Sequence, residues 1–137
     1  MTAPAPYLWF PGNAAEAMHF YKDTFGGCLE LHTLADFART DGPPEAIAFG
    51  QLSGPVTLFG SDAIGTDQPL QMIGVSIALL GTSDGPTLTE WFARLAEGGT
   101  VIDPLAERGW GATDGQVADR FGVRWLIGYE DDVDLDA

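Results

Sequence analysis

The sequence contains little cysteine and few positively charged residues. Its single cysteine, Cys28, excludes an internal disulfide. Six Lys and Arg residues stand against 20 Asp and Glu residues, which gives a formal net charge of -14. Because this charge repels phosphate backbones and anionic lipid surfaces, we expect neither a nucleic-acid partner nor a membrane partner.

The sequence also lacks an apolar run long enough to span a membrane, and it lacks a basic segment followed by an apolar core, which would mark a secretory signal. We therefore expect a cytoplasmic protein. A chain of 137 residues has the length of one domain and buries a core without help from disulfides or metal. Residues 131–137 are predicted to form a frayed acidic tail, because their like charges repel one another.

Two parts of the chain show the same order of elements. In each part a short apolar strand is followed by an amphipathic helix, a Gly-Gly pair and three further strands. Gly26-Gly27 ends the first helix, and Gly98-Gly99 ends the second. We therefore predict one β-α-β-β-β module at about residues 5–62 and another at about residues 71–130.

Polar residues mark the two helix starts. Asn13 and Glu16 have the spacing of a capping box, so Asn13 is predicted to cap the first helix. Thr87 and Glu90 have the same spacing in the second module, although Pro86 could equally be the first helical residue.

The two modules predict an α+β fold. Each exposes an apolar sheet face, and setting the modules side by side is the economical way to bury both faces. The expected architecture is a single domain, residues 1–137, with a curved mixed sheet around a common concavity and both helices on the outer face.

The stretch from Trp110 to Ile127 carries the most specific pattern, W-G…D-x-F-G-V-x-W, and reads as two strands joined by a tight turn. This pattern, together with P-Y-L-W-F-P-G-N-A-A-E-A-M-H-F-Y at positions 6–21 and L-A-E-G-G at positions 95–99, resembles the vicinal-oxygen-chelate superfamily in its PhnB-like branch. That superfamily includes glyoxalases, bleomycin-resistance proteins and extradiol dioxygenases. The resemblance implies the same glyoxalase-like fold, and it implies pairing of chains into a homodimer.

The metal ligands of the superfamily are not matched here. Members that depend on a metal place His, Glu or Gln on the inner face of four strands. By the family pattern the equivalent positions are Pro6, Gln51, Ile77 and Leu126. Only Gln51 could ligate a metal, and one neutral amide does not hold a divalent ion against water. We therefore expect no metal and no other cofactor, and we predict no catalytic residue.

Other reactive side chains offer weak candidates. His19 is predicted to be exposed on the polar face of its helix. His32 lies in a strand, where an edge position and a role at a pocket rim both remain open. Cys28 is expected to be a buried, inert thiol, because the sequence places no His beside it to generate a thiolate.

Strand alternation predicts the ligand-binding residues. If the four family positions mark the inner face, residues two positions away along each strand share that face. The resulting set is Phe10, Phe49, Gln51, Ile77, Arg124 and Leu126. Such a face suits a small hydrophobic or aromatic molecule with an acceptor or anionic group for Arg124. The alternative, that side chains fill the concavity and nothing binds, remains equally open.

Three functions remain after these exclusions. The favoured one is a metal-independent small-molecule binding protein of the glyoxalase/bleomycin-resistance type, with an unknown ligand. The alternative is a metal-dependent lyase, isomerase or dioxygenase of the same superfamily, so whether the protein is an enzyme stays open. The third is a protein whose only remaining function is to assemble with other chains. We expect a homodimer in any case, since edge strands are usually covered or paired, with Tyr7–Phe10 near the interface.

Overall fold

The computed structural model describes residues 2–131. The chain divides into two compact units, Met1–Gln71 and Met72–Ala137. Each unit holds one α-helix and one four-stranded mixed sheet with the same strand order. The predicted α+β fold of two β-α-β-β-β modules is therefore confirmed, with one sheet in each module. Most of the predicted acidic tail, residues 132–137, lies outside the described residues.

The elements of the first unit are β1 (Tyr7–Phe10), α1 (Ala14–Phe25), β2 (Cys28–Thr33), a short 3-10 helix (Ala35–Phe37), β3 (Ile47–Ser53) and β4 (Leu58–Asp62). The strand order is β1-β4-β3-β2. β1 is parallel to β4, whereas the other neighbours are antiparallel.

The elements of the second unit are β5 (Ile77–Leu80), α2 (Gly85–Ala96), β6 (Thr100–Glu107), β7 (Ala112–Ala118) and β8 (Arg124–Glu130). The unit repeats the arrangement of the first with strand order β5-β8-β7-β6. β5 is parallel to β8, and the other pairs are antiparallel. Neither α1 nor α2, nor any other helix within residues 2–131, is long and apolar enough to cross a membrane.

The start of α1 is capped from a distant strand. The side chain of Asn13 makes no capping hydrogen bond, so the predicted capping box is wrong. Instead, the buried carboxylate of Asp62 at the end of β4 accepts from the backbone N of Ala14 at 2.9 Å and from that of Ile47 at 2.9 Å. A negative charge is favoured at a helix N-terminus, and Asp62 supplies it while tying α1 to β3.

The start of α2 also differs from the prediction. Asp84 is the N-cap, and its Oδ1 accepts from the backbone N of Thr87 at 2.8 Å. Pro86 lies in the first turn, where a missing N–H costs nothing. The predicted capping box at Thr87 is therefore wrong, because Asp84 starts the helix three residues earlier.

The two Gly-Gly pairs have the same structural role in both units. A Cβ on Gly27 would collide with the carbonyl of Ser53, and a Cβ on Gly99 would collide with the carbonyl of Ala118. Only glycine lets the chain leaving each helix approach the neighbouring strand this closely. The repeated pair therefore marks equivalent positions in the two modules.

Each sheet buries one face under its helix. In the first unit the unexposed residues Phe10, Leu52 and Leu58 lie on the face that α1 covers. A Cβ on Gly60 would lie 2.9 Å from the Sδ of Met18 on α1, so the two elements are in close contact there. We call the opposite face of each sheet, which its α-helix does not cover, the far face.

The second sheet is built in the same way. Val117, Trp125 and Ile127 are unexposed on the face that α2 covers. The ring of Tyr129, two residues beyond Ile127, lies against Gly85 at the start of α2. The helix face of this unit is therefore aromatic and aliphatic, and the intervening residues of β7 and β8 form its far face.

Candidate functional site

Four of the six predicted ligand-binding residues lie on far faces. Phe49 and Gln51 do so in the first unit, because Gln51 alternates with the buried Leu52 of the helix face. Arg124 and Leu126 do so in the second unit, where they alternate along β8 with buried helix-face residues. Contact of these four residues with a ligand stays a prediction.

The other two, Phe10 and Ile77, lie on helix faces, so their expected position was wrong. Phe10 is unexposed, and its ring lies 3.0 Å from the position that a Cβ of Gly60 would take. Ile77 pairs with Trp125, whose side chain faces α2. The first strand of both modules was placed one residue out of register, and such a slip sends every side chain to the other face.

A row of six rings crosses the far face of the first unit. The rings belong to all four strands and to the 3-10 helix, and we call them the aromatic row. Neighbouring centroids lie 4.5 Å apart for Trp9 and Tyr7, 6.2 Å for Tyr7 and Phe59, 5.9 Å for Phe59 and Phe49, 6.4 Å for Phe49 and His32, and 5.5 Å for His32 and Phe37.

Strand register assembles the aromatic row. The parallel pairing of β1 with β4 sets Tyr7 beside Phe59, and the antiparallel pairing of β2 with β3 sets His32 beside Phe49. Cross-strand neighbours on one face lie close enough for their rings to interact. Tyr7 also donates from Oη to Oγ of Ser61 at 3.0 Å, which fixes its hydroxyl.

The ends of the aromatic row are accessible. Trp9 is 42% exposed and Phe37 is 50% exposed, whereas the rings between them are half-buried. Of these rings, the sequence predicted only Phe49 as a ligand contact, and it left the position of His32 open. The alternation in Tyr7-Leu8-Trp9-Phe10 was the signal for Tyr7 and Trp9, and it was assigned to the wrong face.

The charges near the aromatic row are mostly negative. Glu30 lies beside its His32 end, with Oε2 4.0 Å from Nε2 of His32, and its side chain is 67% exposed. The first unit holds two cations, Lys22 and Arg39, against eight carboxylates. Lys22 lies in the last turn of α1, on the other side of the sheet.

Arg39 is engaged by a neighbouring carboxylate. Its Nε donates to Oδ1 of Asp41 at 3.0 Å, and the two side chains form an ion pair. This hydrogen bond raises the pKa of Arg39 and lowers the pKa of Asp41. The positive charge of Arg39 is therefore paired with the negative charge of Asp41.

On the far face of the second unit, the candidate for ligand contact is the guanidinium of Arg124 and not an aromatic ring. The Nε of Arg124 is buried and has no hydrogen-bond partner among the described residues. Its strand neighbour on β7 is Ala118, whose methyl group offers no acceptor. A buried donor without a partner is costly, so Arg124 is a candidate for an acceptor or anionic group.

Arg108 holds the opposite end of this sheet together. Its Nε donates to Oδ1 of Asp114 at 2.8 Å, and its Nη2 donates to Oδ2 of Asp103 at 3.0 Å. The hydrogen bond to Asp114 raises the pKa of Arg108. These contacts fasten the irregular edge strand β6 to β7, so we read the cluster as structural.

The signature D-x-F-G-V-x-W is also structural. Oδ1 of Asp119 accepts from the backbone N of Phe121 at 2.8 Å and from that of Val123 at 3.1 Å, and Oδ2 accepts from Nε1 of Trp125 at 2.9 Å. Asp119 is 4% exposed and Trp125 is unexposed. The carboxylate therefore closes the β7–β8 turn, and it does not face a ligand.

The structure also shows the positions of the two other reactive side chains, Cys28 and His19. Cys28 is exposed at the first residue of β2, so the expected buried thiol is wrong. The Gly-Gly turn places it at the start of an edge strand, away from the core. His19 is exposed on α1 as predicted, with Nδ1 2.8 Å from the carbonyl of Ala15.

No three His, Cys, Asp or Glu side chains within the described part of the chain are grouped so that they could hold a metal ion. The family positions identified from the sequence offer Gln51 and no second ligand. A metal-dependent reaction would therefore need donors from outside these residues.

Comparison with known proteins gives consistent matches. The chain is 28% identical to Protein YjdN of Escherichia coli (strain K12), over 90% of this chain and 92% of that protein. The crystal structure of PA1353 from Pseudomonas aeruginosa has 34% identity and a TM-score of 0.77, covering 96% of this chain and all of the other.

A PhnB protein from Bacillus cereus shares the fold, with a TM-score of 0.75 and 18% identity, over 93% of this chain and 99% of that chain. The family model described as "Glyoxalase/Bleomycin resistance protein/Dioxygenase superfamily" matches residues 5–127. This match covers both modules and includes the Asp119 turn. The chain therefore belongs to the glyoxalase/bleomycin resistance protein/dioxygenase superfamily.

Proposed function

We propose that this protein is a metal-independent small-molecule binding protein whose ligand stacks on the aromatic row. The observation that carries the proposal is the continuous series of ring contacts from Trp9 to Phe37. Rings that already contact one another offer a preorganised surface to a planar molecule, and each aromatic pair contributes about 0.5–1.5 kcal/mol beyond area burial. Gln51, beside Phe59 on the same face, adds one amide for orientation.

The exposure of the row supports binding over simple core packing. A ring whose only role is core packing is normally buried, whereas Trp9 and Phe37 remain about half exposed. Exposed aromatic patches on a folded protein mark binding surfaces more often than chance. On the second far face, Arg124 and Leu126 remain our predicted contacts for an acceptor-bearing ligand.

A metal-dependent lyase, isomerase or dioxygenase of the same superfamily is the alternative. It needs at least two further ligands beside Gln51. On the same far face Glu30 is the register partner of Gln51, and Nε2 of His32 lies 4.0 Å from Oε2 of Glu30. However, these two side chains are 67% and 42% exposed on the edge strand β2, and no third His, Cys, Asp or Glu of the described residues joins them. The far-face neighbours of Gln51 along β3 are Phe49 and Ser53. Phenylalanine ligates no metal and serine is a poor ligand for the usual divalent ions. We therefore favour binding without metal.

The test uses quinoline as a neutral planar probe and Trp9→Leu as the variant. We expect quinoline to bind the wild type in calorimetry and Trp9→Leu to weaken binding roughly three- to tenfold, since one stacking partner is lost. Trp110→Leu is the matched control, because Trp110 is 74% exposed but lies outside the aromatic row.

The same preparation is dialysed against a panel of divalent metals and analysed for metal content. We expect no stoichiometric metal after dialysis. Tightly bound metal at one ion per chain would overturn the metal-independent reading, and failure of quinoline to bind would overturn the stacking site.

A further inference from the structure

We infer that the aromatic row selects planar ligands that carry a positive charge and discriminates against planar anions. This inference rests on the proposed function, because it assigns the ligand class of the same site. It combines three features of the first unit, namely the ring faces, the carboxylate at one end of the row and the position of the two cations.

The first feature is the ring faces. An aromatic face carries negative quadrupole charge, and a cation within about 6 Å of a ring centroid is attracted to it. Centroids along the row are spaced by 4.5 to 6.4 Å, so a cation over one ring also lies near the next. An anion at the same place meets repulsion from both rings.

The second feature is Glu30. Its carboxylate lies at the His32 end of the row, and the side chain is largely exposed. Glu30 and Gln51 are register partners, so the carboxylate belongs to the same far face as the rings. It can accept the positive group of a ligand whose planar part stacks on Phe49.

The third feature is the placement of the two cations of the first unit. Arg39 lies near enough to Tyr7 to interact with it electrostatically. However, Arg39 forms an ion pair with Asp41 and also interacts with the charge of Asp67, whereas Lys22 lies on the α1 side of the sheet. The net charge of -14 also attracts cations from solution and repels anions. All three features favour a positively charged ligand.

The length of the row defines the planar part of the ligand. Four neighbouring strands at about 4.8 Å spacing extend over roughly 14 Å. That length accommodates two or three fused rings. The ligand class is therefore a fused heteroaromatic cation, such as a quaternised ring nitrogen.

The test compares three probes with one ring system: the N-methylquinolinium cation, neutral quinoline and the quinoline-4-carboxylate anion. All three are measured by calorimetry in an Arg124→Gln background, which removes the guanidinium of the other far face. We expect the cation to bind at least tenfold more tightly than the anion at low salt, with quinoline between them. The difference should shrink as salt screens the charges.

Two charge variants localise the effect. Glu30→Gln should weaken cation binding roughly two- to fivefold and leave quinoline binding unchanged. Glu90→Gln is the matched control, since Glu90 is equally exposed but pairs with Arg94 on α2. An equal loss in both variants would show that the selectivity comes only from overall charge, and it would overturn the role of Glu30.

The outcomes separate the two proposals. If no probe binds, the stacking site itself is wrong. If quinoline binds but the anion binds as tightly as the cation, the site stands and the charge preference is overturned. If the cation is preferred and Trp9→Leu weakens all probes that bind, both proposals are supported.

Discussion

Asp119 shows how much of this fold depends on one carboxylate. Its two oxygens accept three hydrogen bonds, two from backbone N–H groups of the β7–β8 turn and one from the indole of Trp125. All of these groups are buried or half-buried, so each donor left unpaired costs the desolvation penalty. The residue that carries the strongest family signature is thus a structural one.

We predict that Asp119→Asn destabilises the protein by about 1–3 kcal/mol, because the amide turns a donor toward the N–H of Trp125. Urea unfolding at pH 7 measures the loss. In a Trp125→Phe background the same substitution should cost less, since the indole N–H is absent. Equal costs in the two backgrounds would show that the indole contact is energetically unimportant.

At this scale the sequence predicted some side-chain roles and missed others. It placed Phe49 and Gln51 on the far face, because the family pattern fixed the position of Gln51 and the alternation from Phe49 to Ser53 follows it. It misplaced Phe10, because only four residues define β1. A short, uniformly apolar strand has no polar residue that marks its solvent side.

Among the secondary-structure elements, the helices were the best predicted. Amphipathic spacing and the Gly-Gly ends located both helices, and the repeat between modules was correct in kind. The cap of α1 could not be predicted from the local sequence, because Asp62, which caps Ala14, lies 48 positions away in the sequence. β5 covers only the last part of the apolar run from Met72 to Leu80, because only Ile77–Leu80 pairs with β8.

The cap of α2 makes a pH-dependent contribution to stability. The hydrogen bond from the backbone N of Thr87 lowers the pKa of Asp84. A lowered folded-state pKa means that the contribution is present above the ordinary aspartate range and is lost as pH falls through the folded-state pKa. Below that value the carboxyl is protonated in both states and no longer favours folding.

We therefore predict that Asp84→Asn lowers the melting temperature at pH 7 and that the difference from wild type shrinks at acidic pH, below about 4. Thermal unfolding between pH 7 and pH 2.5 provides the measurement. Glu97→Gln at the other end of α2 is the control, and it should not destabilise, because a negative charge is unfavourable at a helix C-terminus. A difference that persists undiminished at low pH would contradict the prediction.

Over the whole molecule, fold and family followed from the sequence more readily than binding did. The glycine pairs and the helix stripes depend on local geometry that the structure repeats in both units, and the D-x-F-G-V-x-W signature depends on the local geometry of one turn in the second unit. The aromatic row depends on the register between strands that are far apart in the sequence. The register between strands is set only when the whole sheet has formed. The sequence therefore predicted one ring of the aromatic row, Phe49, and not the row itself.

Association is the remaining property of the whole molecule, and we predict a homodimer. β1 is an edge strand of its sheet, and it carries Trp9, which is 42% exposed. Of the two edge strands of the other sheet, β6 is protected by register shifts and Pro104, whereas β5, the counterpart of β1, is also short and apolar. The backbone N of Leu70 donates to the carbonyl of Trp9 at 2.7 Å on the edge of β1. However, β1 carries no proline, charge or register shift, and such an apolar edge favours pairing with a second copy, with two-fold symmetry as the usual result.

Sedimentation equilibrium at micromolar concentration tests the homodimer, and we expect a mass near twice 14.6 kDa. The charge of -14 opposes association, but at physiological salt it is screened over about 8 Å. Because Trp9 also belongs to the aromatic row, the variants are compared without ligand. Trp9→Glu should then shift the equilibrium toward monomer by placing a charge at the predicted interface, whereas Trp110→Glu, on an exposed residue of the β6–β7 connection, should not. A mass near 14.6 kDa without concentration dependence would mean that the edge of β1 is protected within one chain.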